Sequence, residues 1–154
     1  MGESPYINPM LDSLYNTDIL TLSAGLKNTA LSNPDASVRK VSKLCGSWLE
    51  IDVMMDGDVV GDIALRLQAC ALGQASAAIL QDAIIGATLG ELKEAQSDLR
   101  AMLKEGADVP QGRFAQLALL QGVADYPARH TSTMLAFDAA VDAVAVAMRA
   151  AEGA

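Results

Sequence analysis

Residues 47–70 read SWLEIDVMMDGDVVGDIALRLQAC. Two runs within this stretch alternate with a period of two: Leu49, Ile51, Val53 and Met55, then Val59, Ile63, Leu65 and Leu67. That period turns one side of each strand toward a core. Asp56-Gly57-Asp58 supplies a tight turn between them. The stretch is therefore a β-hairpin with one buried face, and matching the two apolar sets fixes its register to within two residues. With the loop at 55–57, Leu49 faces Ile63 and Cys45 faces Leu67. With the loop at 56–58, Leu49 faces Leu65 and Cys45 faces Ala69. Either register brings the chain's two cysteines, Cys45 and Cys70, to the open end of the hairpin. That end lies roughly 30 Å from the turn at about 3.4 Å per residue. The expected Cα separation of the two cysteines is roughly 5–8 Å.

On the N-terminal side, residues 37–43 read as an edge strand, giving a three-stranded antiparallel sheet. Residues 27–37 are rich in turn formers. Before them, residues 9–26 carry Leu11, Leu14, Tyr15, Ile19 and Leu22 at near-helical spacing. After Cys70 the pattern changes to that of helices. The small-residue run 71–84 ends at Gly86, and Cys70 sits at or just before its first turn, a position that lowers a thiol's pKa. Residues 88–106 form a helix with a Thr88/Glu91 capping box, an apolar face of Leu92, Leu99, Met102 and Leu103, and Gly106 at its end. Residues 114–123 suggest a short apolar helix. The last helix, about 131–150, repeats Met134, Phe137, Val141, Val144 and Met148, with a narrow stripe of Asp138, Asp142 and Arg149. So apolar a helix packs on more than one side or meets a partner. The expected fold is α+β, one domain over residues 1–154, with a small three-stranded antiparallel sheet packed by several helices.

Composition narrows the function. Apolar residues make up 51% of the 154-residue chain but aromatics only 4%, so the core is aliphatic. Nineteen acidic residues against eleven basic ones give a formal charge of −8. Nucleic-acid binding needs clustered Lys and Arg, so that class is disfavoured, as are anionic membrane surfaces. The opening residues resemble no secretory signal, and the apolar segment 130–151 is interrupted by charges. A soluble cytoplasmic protein is expected, whose thiols are free or metal-bound rather than bridged.

Soft metal ligands are few: Cys45, Cys70 and the single histidine, His130. The chain has no CxxC, HExxH, P-loop or GxSxG, which argues against an enzyme. Each cysteine has an ordinary alternative as a small buried apolar residue. His130 alone has one as a partly buried, hydrogen-bonded side chain.

Four segments together resemble a known family. SKLCGS around Cys45, QACALGQASAAIL around Cys70, GATLGELKEA, and LALLQGVADYPARHTSTMLAFDA are similar, in order and spacing, to the U-type iron–sulfur cluster scaffolds: IscU, SufU and the N-terminal domain of NifU. The likeness covers about residues 8–148 and is closest to SufU-type members. It implies an iron–sulfur cluster, such as [2Fe–2S], with zinc as the alternative metal. It also implies a cysteine desulfurase and recipient apo-proteins as partners, and is compatible with a homodimer. The departures are specific. Ser47 stands where the family has Asp, and Ser132 where it has its third cysteine. Cys45 and Cys70 keep the family's ligand positions, and His130 lies two residues before the lost thiol. If the chain is extended there, His130 and Ser132 face the same way and the imidazole replaces the thiolate. If the helix already includes His130, the two point about 200° apart and local unwinding would be needed. The resulting expectation is a cluster assembly scaffold or carrier with a Cys45/Cys70/His130 site. Its alternative is a zinc-bound or metal-free sulfur-transfer accessory to a desulfurase.

Overall fold

The computed structural model describes residues 16–43 and 46–152. Cys45 lies outside these residues, as do Leu11, Leu14 and Tyr15 of the first expected helix. The described part of that helix is α1, Thr17–Gly25, and the Asn16 side chain caps it by accepting from the Ile19 N–H at 3.1 Å.

Strands β1 (Ala36–Val41), β2 (Trp48–Asp56) and β3 (Val59–Gln68) form an antiparallel sheet in the order β1-β2-β3. Leu49, Ile51 and Val53 are fully buried, as their alternation predicts. The register differs from both expected ones: Leu49 pairs with Leu67 and Ile51 with Leu65. The turn is the two-residue loop Gly57-Asp58, with Gly57 at a φ of +66°. A two-residue loop alone would pair Asp56 with Val59 throughout and set the two apolar faces on opposite sides. A β-bulge corrects this. Met54 pairs with Asp62 but Met55 pairs with Val60, which leaves Gly61 as the extra residue. The bulge also turns Val60 inward, and Val60 rather than Val59 is the buried residue.

The other face of the sheet is polar and is tied down. Asp52, only 4% exposed, accepts from Arg66 at 2.9 and 3.0 Å, from Ser37 Oγ at 2.7 Å and from the Leu31 N–H at 3.0 Å. Arg66 also donates to the Thr29 carbonyl at 2.8 Å and to Glu50 at 3.2 Å. One buried carboxylate thus binds the 27–35 segment to all three strands.

Helix α2 (Ala71–Ala83) buries its small-residue face. Its C-terminal carbonyls are collected by Arg113, which donates to Ala83 O at 3.1 Å and Ile85 O at 2.9 Å and pairs with Glu91 at 3.0 Å. Helix α3 (Leu89–Glu105) starts with the expected capping box and ends at Gly106 in the left-handed region. Leu92, Leu99, Met102 and Leu103 are all buried. Residues Gly112–Asp125, where the sequence suggests a short apolar helix, are 3₁₀ in character but broken by a kink at Phe114, whose φ of −104° and ψ of 31° are not helical. The buried residues of this segment are Phe114, Leu117, Leu120 and Val123, each three apart. After the kink, Leu117, Leu120 and Val123 stack in a row at three residues per turn, whereas at 3.6 the row would wind around the helix.

A short 3₁₀ turn, Pro127–Arg129, leads into α4 (His130–Glu152). Helix α4 lies across β1 and β2 and also meets α2 and α3, which is why it is apolar on several sides. Its acidic stripe bolts it in place: Asp138 accepts from Gln96 at 2.8 Å and Arg100 at 3.2 Å, and Asp142 pairs with Lys40 at 2.7 Å. Phe137 meets Phe114 edge to face at 5.4 Å. Among the described residues, no helix is long and apolar enough to cross a membrane.

Candidate functional site at the start of helix α2

Cys70 is the residue that enters α2, with φ −66° and ψ 170°, and its carbonyl accepts from the Gln74 N–H at 3.0 Å. Its Sγ lies 3.2 Å from the Oγ of Ser132, which is in the first turn of α4. The two helices meet this closely because residue 73 is glycine. A Cβ at Gly73 would stand 2.9 Å from Ser132 Oγ, 2.9 Å from Ala69 Cβ and 3.2 Å from the Ser132 carbonyl. The site's spacing therefore depends on a missing methyl group.

The opposite wall comes from the β1–β2 connection. The Ser42 N–H donates to Ser47 O at 2.7 Å, and the Gly46 N–H donates to Ser42 O at 2.9 Å. These bonds close the neck of the loop that carries Cys45, with Gly46 at a φ of +71°. Gly46 and Ser47 then line a cavity of 290 Å³ with Gln68, Ala69, Cys70 and Arg129. The expected approach of Cys45 to Cys70 itself falls outside the described residues.

The expected joining of His130 to both thiols involves Cys45 and so falls outside the described residues. His130 is helical, with φ −62° and ψ −46°, so of the two conformations considered the chain adopts the one that separates it from Ser132. Ser132 faces Cys70. His130 is 5% exposed, and its Nε2 lies 3.0 Å from Val123 O and 3.2 Å from Ala124 O. Facing two carbonyl oxygens, that nitrogen carries the proton and donates. The imidazole thereby fastens the start of α4 to the end of the 3₁₀ segment.

Arg129 is a site residue that the sequence alone does not single out. It lines the cavity, and among the described residues its guanidinium has no hydrogen-bond or ion-pair partner. The available signal is a cationic residue three before Ser132, at the mouth of the last helix. Among the described residues, no group of three or more His, Cys, Asp or Glu could hold a metal ion. Adding Cys45 brings the soft donors to two thiols, and the positions that carry Asp and Cys in the resembled family are hydroxyls. Two thiols fall short of the four donors of a closed zinc or iron site.

A three-stranded antiparallel sheet covered by helices, with a cysteine opening the helix after the sheet, defines an architecture shared with known proteins. The description "NifU-like N terminal domain" matches residues 15–133, and the chain belongs to that family, which takes in the U-type scaffolds. It is 28% identical over 145 residues to the zinc-dependent sulfurtransferase SufU of Bacillus subtilis, covering 90% of this chain and 94% of that one. It is 30% identical over 121 residues to the iron–sulfur cluster assembly scaffold protein IscU of Streptococcus pyogenes, covering 78% and 70%. The crystal structure of the N-terminal part of a NifU-like protein from Brucella abortus superposes with a TM-score of 0.88 at 41% identity, covering 91% of this chain and 98% of that one.

Proposed function

We propose that the protein is an iron–sulfur cluster assembly scaffold or carrier, and that Cys45 and Cys70 are its two thiolate donors. It takes sulfur from a cysteine desulfurase in the cytoplasm and passes a cluster to apo-proteins; it turns over no substrate of its own. The observation that carries this reading is the shared cavity, where Cys70 and the residues following Cys45 come together in a chain of this family. Thiolates are soft ligands suited to iron–sulfur clusters and to zinc. The cluster, a [2Fe–2S] unit in the simplest case, is cargo, and the donors missing from two thiols come from a second molecule. For His130 to take part, it must release the Val123 and Ala124 carbonyls and the first residue of α4 must unwind.

Anaerobic reconstitution followed by visible absorption tests the reading. Cluster absorption that disappears in Cys70→Ser and Cys45→Ser supports it. Absence of any absorption with intact protein would sink it. A second reading, a sulfur-transfer accessory to the desulfurase holding zinc or no metal, is favoured by the lack of Asp and Glu among the described residues lining the cavity. Metal analysis after aerobic purification separates its two forms.

A further inference from the structure

The cavity at Cys70 holds an uncompensated positive charge. Arg129 lines it without a counter-ion among the described residues, and no Asp or Glu is among the described residues lining it. In a chain of net charge −8 such a pocket is unusual, because carboxylates are plentiful elsewhere. A metal cation entering here meets a guanidinium of like charge, and an anion meets one of opposite charge. The lining therefore fits an anion better than a cation.

We propose that Arg129 stands in for the metal as the counter-charge of an anionic sulfur carried on Cys70, so that this chain accepts sulfur without a metal. The inference rests on the assembly reading above and names the form in which sulfur is held. The donor is a persulfide, R–S–S⁻. The sulfur of Cys70 attacks the donor's terminal sulfur, a new S–S bond forms, and the donor's own S–S bond breaks. The proton of the Cys70 thiol passes to the departing R–S⁻. The products are Cys70–S–S⁻ and R–SH, with no net oxidation. Sγ of Cys70 then carries no hydrogen, so the Ser132 hydroxyl, 3.2 Å away and 2% exposed, becomes the donor of that contact. Ser132 holds the inner sulfur from the protein side, and the charged outer sulfur extends into the cavity with Arg129. Arg129 holds the transferred sulfur by charge and forms no covalent bond to it.

The test uses the full chain, freed of metal and kept in chelator, with cysteine persulfide as the donor. Mass spectrometry of the Cys70 peptide follows the added sulfur after the donor is removed. Wild type should carry one extra sulfur on Cys70, and Arg129→Gln should lose it about tenfold faster, the scale of one charge-assisted hydrogen bond. Arg129→Lys should keep most of the lifetime. Rising salt should shorten the wild-type lifetime through screening, a readout that needs no variant to fold. Equal lifetimes in wild type and Arg129→Gln, loading that requires added zinc, or no salt dependence would each overturn the proposal. A chain that builds a cluster but whose sulfur lifetime ignores Arg129 defeats this inference alone. One that holds sulfur through Arg129 and never shows cluster absorption defeats the scaffold reading alone.

Discussion

Gly73 and His130 show how single residues set the geometry around Cys70. A methyl at position 73 would press on the Ser132 carbonyl at 3.2 Å, which is backbone and cannot turn aside. Gly73→Ala should therefore separate α2 from α4, lengthen the Cys70–Ser132 contact and cost about 1–3 kcal/mol, the usual range for overpacking. Urea denaturation gives the cost, and unchanged stability would mean that the helices are not tightly held here. His130 makes the opposite case, a residue with metal-binding chemistry used as a fastener. His130→Ala leaves the Val123 and Ala124 carbonyls without its N–H and should cost about 1–3 kcal/mol. Metal or sulfur content per folded molecule should stay at the wild-type level. A fall in metal content without loss of stability would restore His130 as a ligand. The sequence does not decide between these roles, because the outcome turns on one backbone conformation at the helix start. Arg129 is hidden for a related reason: an unpaired cation becomes visible only once its surroundings are known.

Elements are legible wherever a local rule governs them. The capping box of α3 follows from Thr88 and Glu91 alone, and Thr88→Ala should lower stability by about 0.5–2 kcal/mol in a thermal or urea melt. The hairpin's strands and its buried face at Leu49, Ile51 and Val53 follow from alternation. Its register does not, because parity can be satisfied in two ways. A three-residue loop is the expected way. The chain instead uses a two-residue loop with Gly61 as a bulge, and only pairing partners distinguish the two. Residues 114–123 suggest a short helix without specifying its kind, because apolar residues are dense there and several periods fit them. The buried set at every third residue is the signature that separates 3₁₀ from α, and it emerges once Leu117, Leu120 and Val123 are known to share a side.

At the scale of the whole molecule, the Asp52 network couples fold stability to pH. Hydrogen bonds from Arg66, then Ser37 and Leu31, hold the Asp52 carboxyl at about 2, against an ordinary 3.8. A folded-state pKa below the unfolded one gives stability that is present above pH 3.8 and is lost as pH falls through about 2. The shift corresponds to about 2 kcal/mol. Denaturation measured from pH 5 to pH 2 should show that loss in wild type. Asp52→Asn should start less stable at pH 5 and lack this part of the slope. An identical slope in both would assign acid sensitivity to other carboxylates. The 3₁₀ segment has a consequence of a different kind, for chain length. Each residue added or deleted after the Phe114 kink, within 115–125, rotates the downstream chain by about 120° and carries the apolar row away from α2 and α3. Three residues restore the rotation and merely change the reach by about 6 Å. Length variation tolerated in this segment should therefore come in steps of three, and a library of one-, two- and three-residue deletions would reveal that arithmetic directly.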